Sequence, residues 1–205
     1  MRRVVGEVPE TVRLLLDLTA GGVRLTPGGR LPRAVVRDMQ AHRPHWHLTG
    51  RPAATEDDLW PLGALHDLLR GVGLVRLRHG VLTPTKAAAG DDLGIVRRLR
   101  CGFEPHTFTT VLTELVVGLL AAHGPVPTVE LGARVYPLLG HGWANSRDGR
   151  PVTERDVQIA IAHQAPILEG LDLLDTSNGP VWAAGPSARS LLPGATMLAE
   201  IWSTR

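Results

Sequence analysis

A degenerate internal repeat constrains this chain more than any other feature. Gly50-Arg51-Pro52-Ala53-Ala54-Thr55-Glu56-Asp57-Asp58-Leu59 is matched by Gly149-Arg150-Pro151-Val152-Thr153-Glu154-Arg155-Asp156-Val157. Both copies read Gly-Arg-Pro, a one- or two-residue spacer, then Thr-Glu-x-Asp and an apolar residue. Threonine suits a helix N-cap, and an acid three residues later can reach back to it. Acids in the first turn also suit the positive end of the helix dipole. Each copy therefore predicts a helix start. The downstream segments also match. One runs through Leu62, Leu65, Leu68 and Leu69 to Gly73, the other through Val157, Ile159, Ile161, Ile167 and Leu168 to Gly170. Each then continues as a short apolar-rich strand, a turn and a second strand. His79-Gly80 and Asn178-Gly179 stand where a hairpin needs positive φ.

The order upstream is also shared. Val12, Leu15 and Leu16 predict a short helix that Gly21-Gly22 ends, and Val23-Arg24-Leu25 reads as a strand. Leu31 to Gln40 reads as a second helix with Ala34, Val35 and Met39 on one side. In the other half, Phe108, Val111, Leu112, Leu115, Val116, Leu119 and Leu120 recur with the period of an amphipathic helix. Gly124-Pro125 ends it, Val126-Pro127-Thr128 extends briefly, and Val129 to Leu139 reads as the next helix.

Each half thus reads helix, short strand, helix, helix, strand, wing, strand. That order resembles the winged helix-turn-helix superfamily. The stretches Leu25-Thr26-Pro27-Gly28-Gly29-Arg30-Leu31 and Gly73-Leu74-Val75 to Leu82-Thr83-Pro84 are similar to tandem winged-helix regions of actinobacterial proteins. The resemblance implies a mainly α chain with small β-wings (α+β), built as two tandem winged-helix domains. They would occupy residues 1–85 and 105–205, with a helical linker over 86–104. One departure is visible: a strict helix-turn-helix turn has about 3–4 residues, and the second and third helices here stand much further apart.

Composition removes several classes. Hydrophobic residues make up 43% and charged ones 20%, too apolar for a disordered chain. The single cysteine, Cys101, excludes an intrachain disulfide framework and reads as a small buried hydrophobe. The longest apolar run, Val111 to Ala122, contains Glu114 and is too short to span a bilayer. At the N-terminus Glu7 arrives too early for a secretory leader. A soluble cytoplasmic protein without membrane contact is the expectation. No Gly-x-Ser-x-Gly, phosphate loop or dinucleotide fingerprint occurs, so neither an enzyme nor a cofactor is expected. His42, His45 and His47 stand close enough in sequence to share an ion, but no complete tetrahedral set accompanies them, and solvated histidines are the simpler account.

Net charge is only +2, yet it is unevenly divided: +5 over residues 1–51, +1 over 52–101 and −4 over 102–205. Arg30, Arg33 and Arg37 fall on one face of the second helix, and Arg76, Arg78 and His79 occupy the first wing. Guanidinium groups match phosphate geometry, so this set predicts contact with the backbone of duplex DNA. Arg155 and Gln158 on the second copy's third helix are candidates for base contact. The first copy's third helix argues against groove binding, since Glu56, Asp57, Asp58 and Asp67 outweigh Arg70. The competing expectation is a protein-interaction or scaffold module, with a homodimer as one form of it. Five tryptophans among eight aromatic residues favour it, with Trp46 and Trp143 in matching loops.

Overall fold

Two capping boxes begin the segments marked by the repeat. Asp58 Oδ2 accepts the Thr55 amide at 2.8 Å, and Asp156 Oδ2 accepts the Thr153 amide at 2.9 Å. Both threonine hydroxyls accept in return from the third residue's amide. The computed structural model describes residues 7–47, 51–103, 106–139 and 142–203. The leader reading at Met1 to Gly6, Gly50 of the first repeat copy and the linker's last residue, Glu104, lie outside them.

The first half contains α1 (Glu10–Thr19), β1 (Val23–Arg24), α2 (Arg33–His42), α3 (Trp60–Gly71), β2 (Val75–Arg78) and β3 (Val81–Pro84). Then comes α4 (Asp92–Arg100). The second half contains α5 (Phe108–His123), β4 (Val126–Pro127), α6 (Thr128–Val135), α7 (Glu154–Gly170), β5 (Leu174–Asp175) and β6 (Val181–Ala184), with α8 (Ala188–Leu191) and α9 (Pro193–Ser203) after them. Both sheets are antiparallel and share one order, β1-β3-β2 and β4-β6-β5. The chain is therefore α+β, and the repeat extends to strand order. Among the described residues no helix is long and apolar enough to cross a membrane.

The copies agree down to single hydrogen bonds. Leu74 N donates to Leu69 O and Gly73 N to Arg70 O; Leu173 N donates to Leu168 O and Asp172 N to Glu169 O. Each pair closes a helix by turning one residue left-handed. That residue is Gly73 (φ 72°) in one copy and Asp172 (φ 53°) in the other.

Several details differ from the sequence reading. The first copy's third helix does not run from Glu56. Glu56–Asp58 forms a 3-10 turn, and α3 starts at Trp60 with Pro61 in its first turn, where a missing amide costs nothing. The second copy has no proline there, and α7 runs unbroken from its cap. On α2 the buried side is Val35, Val36 and Met39, while Ala34 is exposed. The second hairpin is not a two-residue turn with paired positive φ: of Asn178-Gly179 only Gly179 is left-handed, and Gly179 N closes on Thr176 O at 2.9 Å. His79 and Gly80 both adopt positive φ, as expected. Cys101 is exposed rather than buried.

The largest difference concerns α5. The periodicity suggests a helix with one wet side, yet Leu115 to Leu120 are all buried, Val117 and Gly118 included. The C-terminal helix α9, which no local sequence signal announced, covers the second side. Gly118 makes the approach possible, since a Cβ there would sit 3.0 Å from Ala195 O.

The two halves share one continuous apolar core. The most extensive contact between the halves is that of α3 with α7. Gly170 lies against the backbone of α3, and its carbonyl accepts from Thr11 Oγ1 at 2.7 Å. α4 straps the halves together: Asp92 pairs with Arg13 of α1, and Arg100 donates to Ser190 O of α8.

Candidate functional site

Strand register assembles a basic face on the first sheet. Arg24 is paired with Val81, and Val81 with Arg78, so both arginines flank Val81 on one side. Arg76 lies two residues from Arg78 and therefore shares that side. All three are exposed, as is His79 at the hairpin tip, and none forms an ion pair among the described residues. The Arg24 guanidinium reaches the hairpin turn at Gly80. The equivalent register positions of the second sheet hold Pro127, Asp175 and, two residues beyond Asp175, Ser177. One scaffold thus carries a cationic face in one copy and a weakly anionic one in the other.

The remaining expected contacts separate. Arg33 and Arg37 are exposed one turn apart on α2. Arg30 is held by Asp57 at 3.0 Å. Arg155 is exposed on α7. Gln158 is turned inward: its Oε1 accepts Gly132 N at 2.7 Å and its Nε2 donates to Thr128 O at 3.0 Å, so both ends of the amide already serve the α6 backbone. The α3–α7 contact also places the third helices of the two copies against each other rather than side by side on an open surface. His42 Nδ1 contacts Asp38 O at 2.8 Å within its own helix, whereas His45 Nε2 lies 3.4 Å from Glu169, so the two histidines serve different partners.

A second site lies between the halves and was not visible in the sequence. A cleft of about 420 Å³ is walled by Trp46, Trp60 and Pro61 from the first half and by Pro166, Glu169 and Trp182 from the second. Trp46 is buried beneath it, Trp182 is partly buried and Trp60 stands 66% exposed at the rim. A second cleft of about 340 Å³ adjoins it through the shared residues His45 and Glu169. Here Arg43 bridges the halves, donating to Glu10 at 2.8 Å and to Asp172 at 3.0 Å. The other Asp172 oxygen accepts the Thr11 amide at 3.3 Å and lies 3.3 Å from the Thr11 hydroxyl, whose proton is directed to Gly170 O.

Asp172 is therefore a buried carboxylate on a left-handed residue. Its repeat counterpart is a glycine, which adopts that conformation without strain. Such strain persists only where the surroundings hold it, and here Arg43 and Thr11 do. Burial pushes the Asp172 carboxyl above its ordinary value, and Arg43 opposes the shift. Burial likewise raises Glu169, against the hydroxyl it accepts from Thr176. Burial and then Arg43 hold His45 below its usual value.

A carboxyl raised in the native state keeps its proton to higher pH than in the unfolded chain. Its contribution favours folding at low pH and is lost as pH rises past the ordinary value toward the native one. Asp172→Asn keeps a residue that tolerates the left-handed conformation and removes the titration. Urea unfolding of both proteins across the acid range is expected to give a stability difference that changes with pH in that sense. A pH-independent difference would show that Asp172 titrates at its ordinary value.

Comparison of this chain with family models, with curated proteins and with solved structures returns no match.

Proposed function

We propose that this chain is a tandem winged-helix protein that holds the phosphate backbone of duplex DNA with its first half. One observation carries the reading: Arg24, Arg76 and Arg78 share one open face of the first sheet, and none of them forms an ion pair among the described residues. His79 extends that face to the wing tip, and Arg33 and Arg37 add charge on α2. Contact through a wing suits the helix arrangement, because α3 is packed against α7 and its exposed charges are Asp67 and Arg70, which cancel. The contacts would be to phosphates, giving affinity without strong sequence preference.

Titration of a labelled GC-rich duplex at several salt concentrations tests this. Binding is expected to fall steeply with salt, and Arg76→Ala with Arg78→Ala is expected to lower the log–log salt slope by about 2. Arg33→Ala and Arg37→Ala should weaken binding further. Absence of binding at low salt would remove the reading.

One feature favours the alternative, a protein-interaction module without nucleic-acid contact. Val129 is 81% exposed, and Tyr136, two helical turns on, and Leu138 are also exposed. Exposed large apolar side chains suit a protein partner or a second copy. Concentration-dependent mass in light scattering, together with no DNA binding, is the result this alternative predicts.

A further inference from the structure

The cleft between the halves has a chemistry unrelated to phosphate. Its two adjoining parts are lined by Asp58, Glu169, Glu10, Asp172 and Asp175, against a single guanidinium, Arg43. The remaining basic group, His45, is held toward its neutral form by burial. Arg43 is already shared by Glu10 and Asp172. The other acids keep unused acceptors. Glu169 receives the Thr176 hydroxyl and faces His45 through Oε1, and its Oε2 accepts nothing from the described residues. Among the described residues Asp58 accepts through Oδ2, in the capping box, and Asp175 through Oδ1, from Ser177 N. Between these carboxylates stand the apolar walls of Trp60, Trp182, Pro61 and Pro166.

We infer that this cleft binds an aliphatic polyamine, with methylene segments along Trp60 and Trp182 and ammonium groups at Glu169 and at the carboxylates on either side. Three features select this ligand class. Glu169 is half-buried and is flanked by the exposed Asp58, Glu10 and Asp175, and such an excess of carboxylates over cations suits ligands whose cations donate hydrogen bonds, as primary and secondary ammonium groups do. Tryptophan faces attract cations and also cover methylene chains. The acids are divided between two adjoining clefts that share His45 and Glu169, rather than gathered at one point, which calls for charges spaced along a flexible chain. A compact divalent ion instead needs converging oxygens, and no group of three or more acids, histidines or cysteines converges that way among the described residues.

The whole protein, free of DNA, is titrated with spermidine at fixed ionic strength, with tryptophan fluorescence and calorimetry as readouts. Saturable binding at one site is expected. Glu169→Gln is expected to weaken it about tenfold, the loss of a charge-assisted contact in a half-buried setting. Trp60→Leu, at an exposed position that the fold does not need, is expected to weaken it about three- to tenfold. Magnesium chloride at matched charge should not displace spermidine. The proposal is overturned by any of three results: no saturable signal, displacement by magnesium at equal charge, or unchanged affinity in folded Trp60→Leu. Because this cleft lies apart from the arginine face, its failure leaves the DNA titration unaffected.

Discussion

Glu56→Ala is expected to destabilise the protein by about 3 kcal/mol or more, while Glu154→Ala, the same change at the matching repeat position, shifts stability by less than about 0.5 kcal/mol. The contrast comes from burial. The Glu56 side chain is wholly enclosed: Oε2 accepts Leu31 N at 2.8 Å ahead of α2, and Oε1 lies 2.9 Å from His66 Nδ1 on α3. Alanine removes both acceptors at once. The Leu31 amide and the His66 imidazole are then buried without partners, and an empty space is left beside α3. Each unsatisfied buried group costs about 1–3 kcal/mol, and the cavity adds to this. His66 Nε2 has no partner among the described residues, so none of them offers the cluster a spare hydrogen bond to redistribute. Glu154 is exposed on α7, and truncating it removes no buried partner. Urea unfolding of the three proteins measures this directly. Equal midpoints for Glu56→Ala and Glu154→Ala would mean that Glu56 is solvated in solution.

That pair also marks how far the sequence was legible. Both glutamates come directly after a capping threonine, and both read as first-turn acids. The local rule held for the caps themselves, because a capping box is written within four residues. Whether the glutamate faces water depends on residues further along the chain. Pro61 breaks the first copy into a 3-10 turn and a new helix, whereas α7 continues as one helix from its cap. The His79-Gly80 hairpin and the helix stop at Gly73 were readable for the same reason: each rests on adjacent residues, whereas the stop read at Gly170 falls on Asp172 and the β1–β3 pairing joins Val23 to Leu82. The closure of α5 by α9 was not readable, since α5 periodicity describes one side and the covering residues, such as Ala195 and Leu198, lie far along the chain. Gln158 looked like a base-reading side chain by residue type, and only the placement of α6 shows both ends of its amide occupied. The cleft was hidden by distance in sequence, as His45 meets Glu169 and Arg43 meets Asp172 across the whole repeat. The sequence reading set Gly170 opposite Gly73; only the bonds that close the two helices put Asp172 there, a charged residue where its counterpart is a helix-stopping glycine.

Gly170→Ala is expected to cost about 2 kcal/mol by forcing the two halves apart, with Gly63→Ala as the internal control. Both glycines lie in the paired third helices, but their surroundings differ. A Cβ at position 170 would lie 2.8 Å from Pro61 O and 3.3 Å from Leu65 Cβ. These atoms belong to the backbone and first side-chain atom of α3, so no rotamer change relieves the overlap, and the whole helix must shift. At position 63 the nearest atom is Glu56 Cγ at 3.8 Å, an ordinary contact. Alanine there gains helix propensity and is expected to be neutral or stabilising by up to about 1 kcal/mol. Moving α3 also moves Trp60 and Pro61, one wall of the cleft, while the arginines of the first sheet keep their own register. Gly170→Ala should therefore weaken spermidine binding and change tryptophan emission, and leave the salt dependence of DNA binding intact. If Gly170→Ala unfolds at the same urea concentration as Gly63→Ala, α3 and α7 do not touch in solution, and the cleft between the halves does not have the walls described.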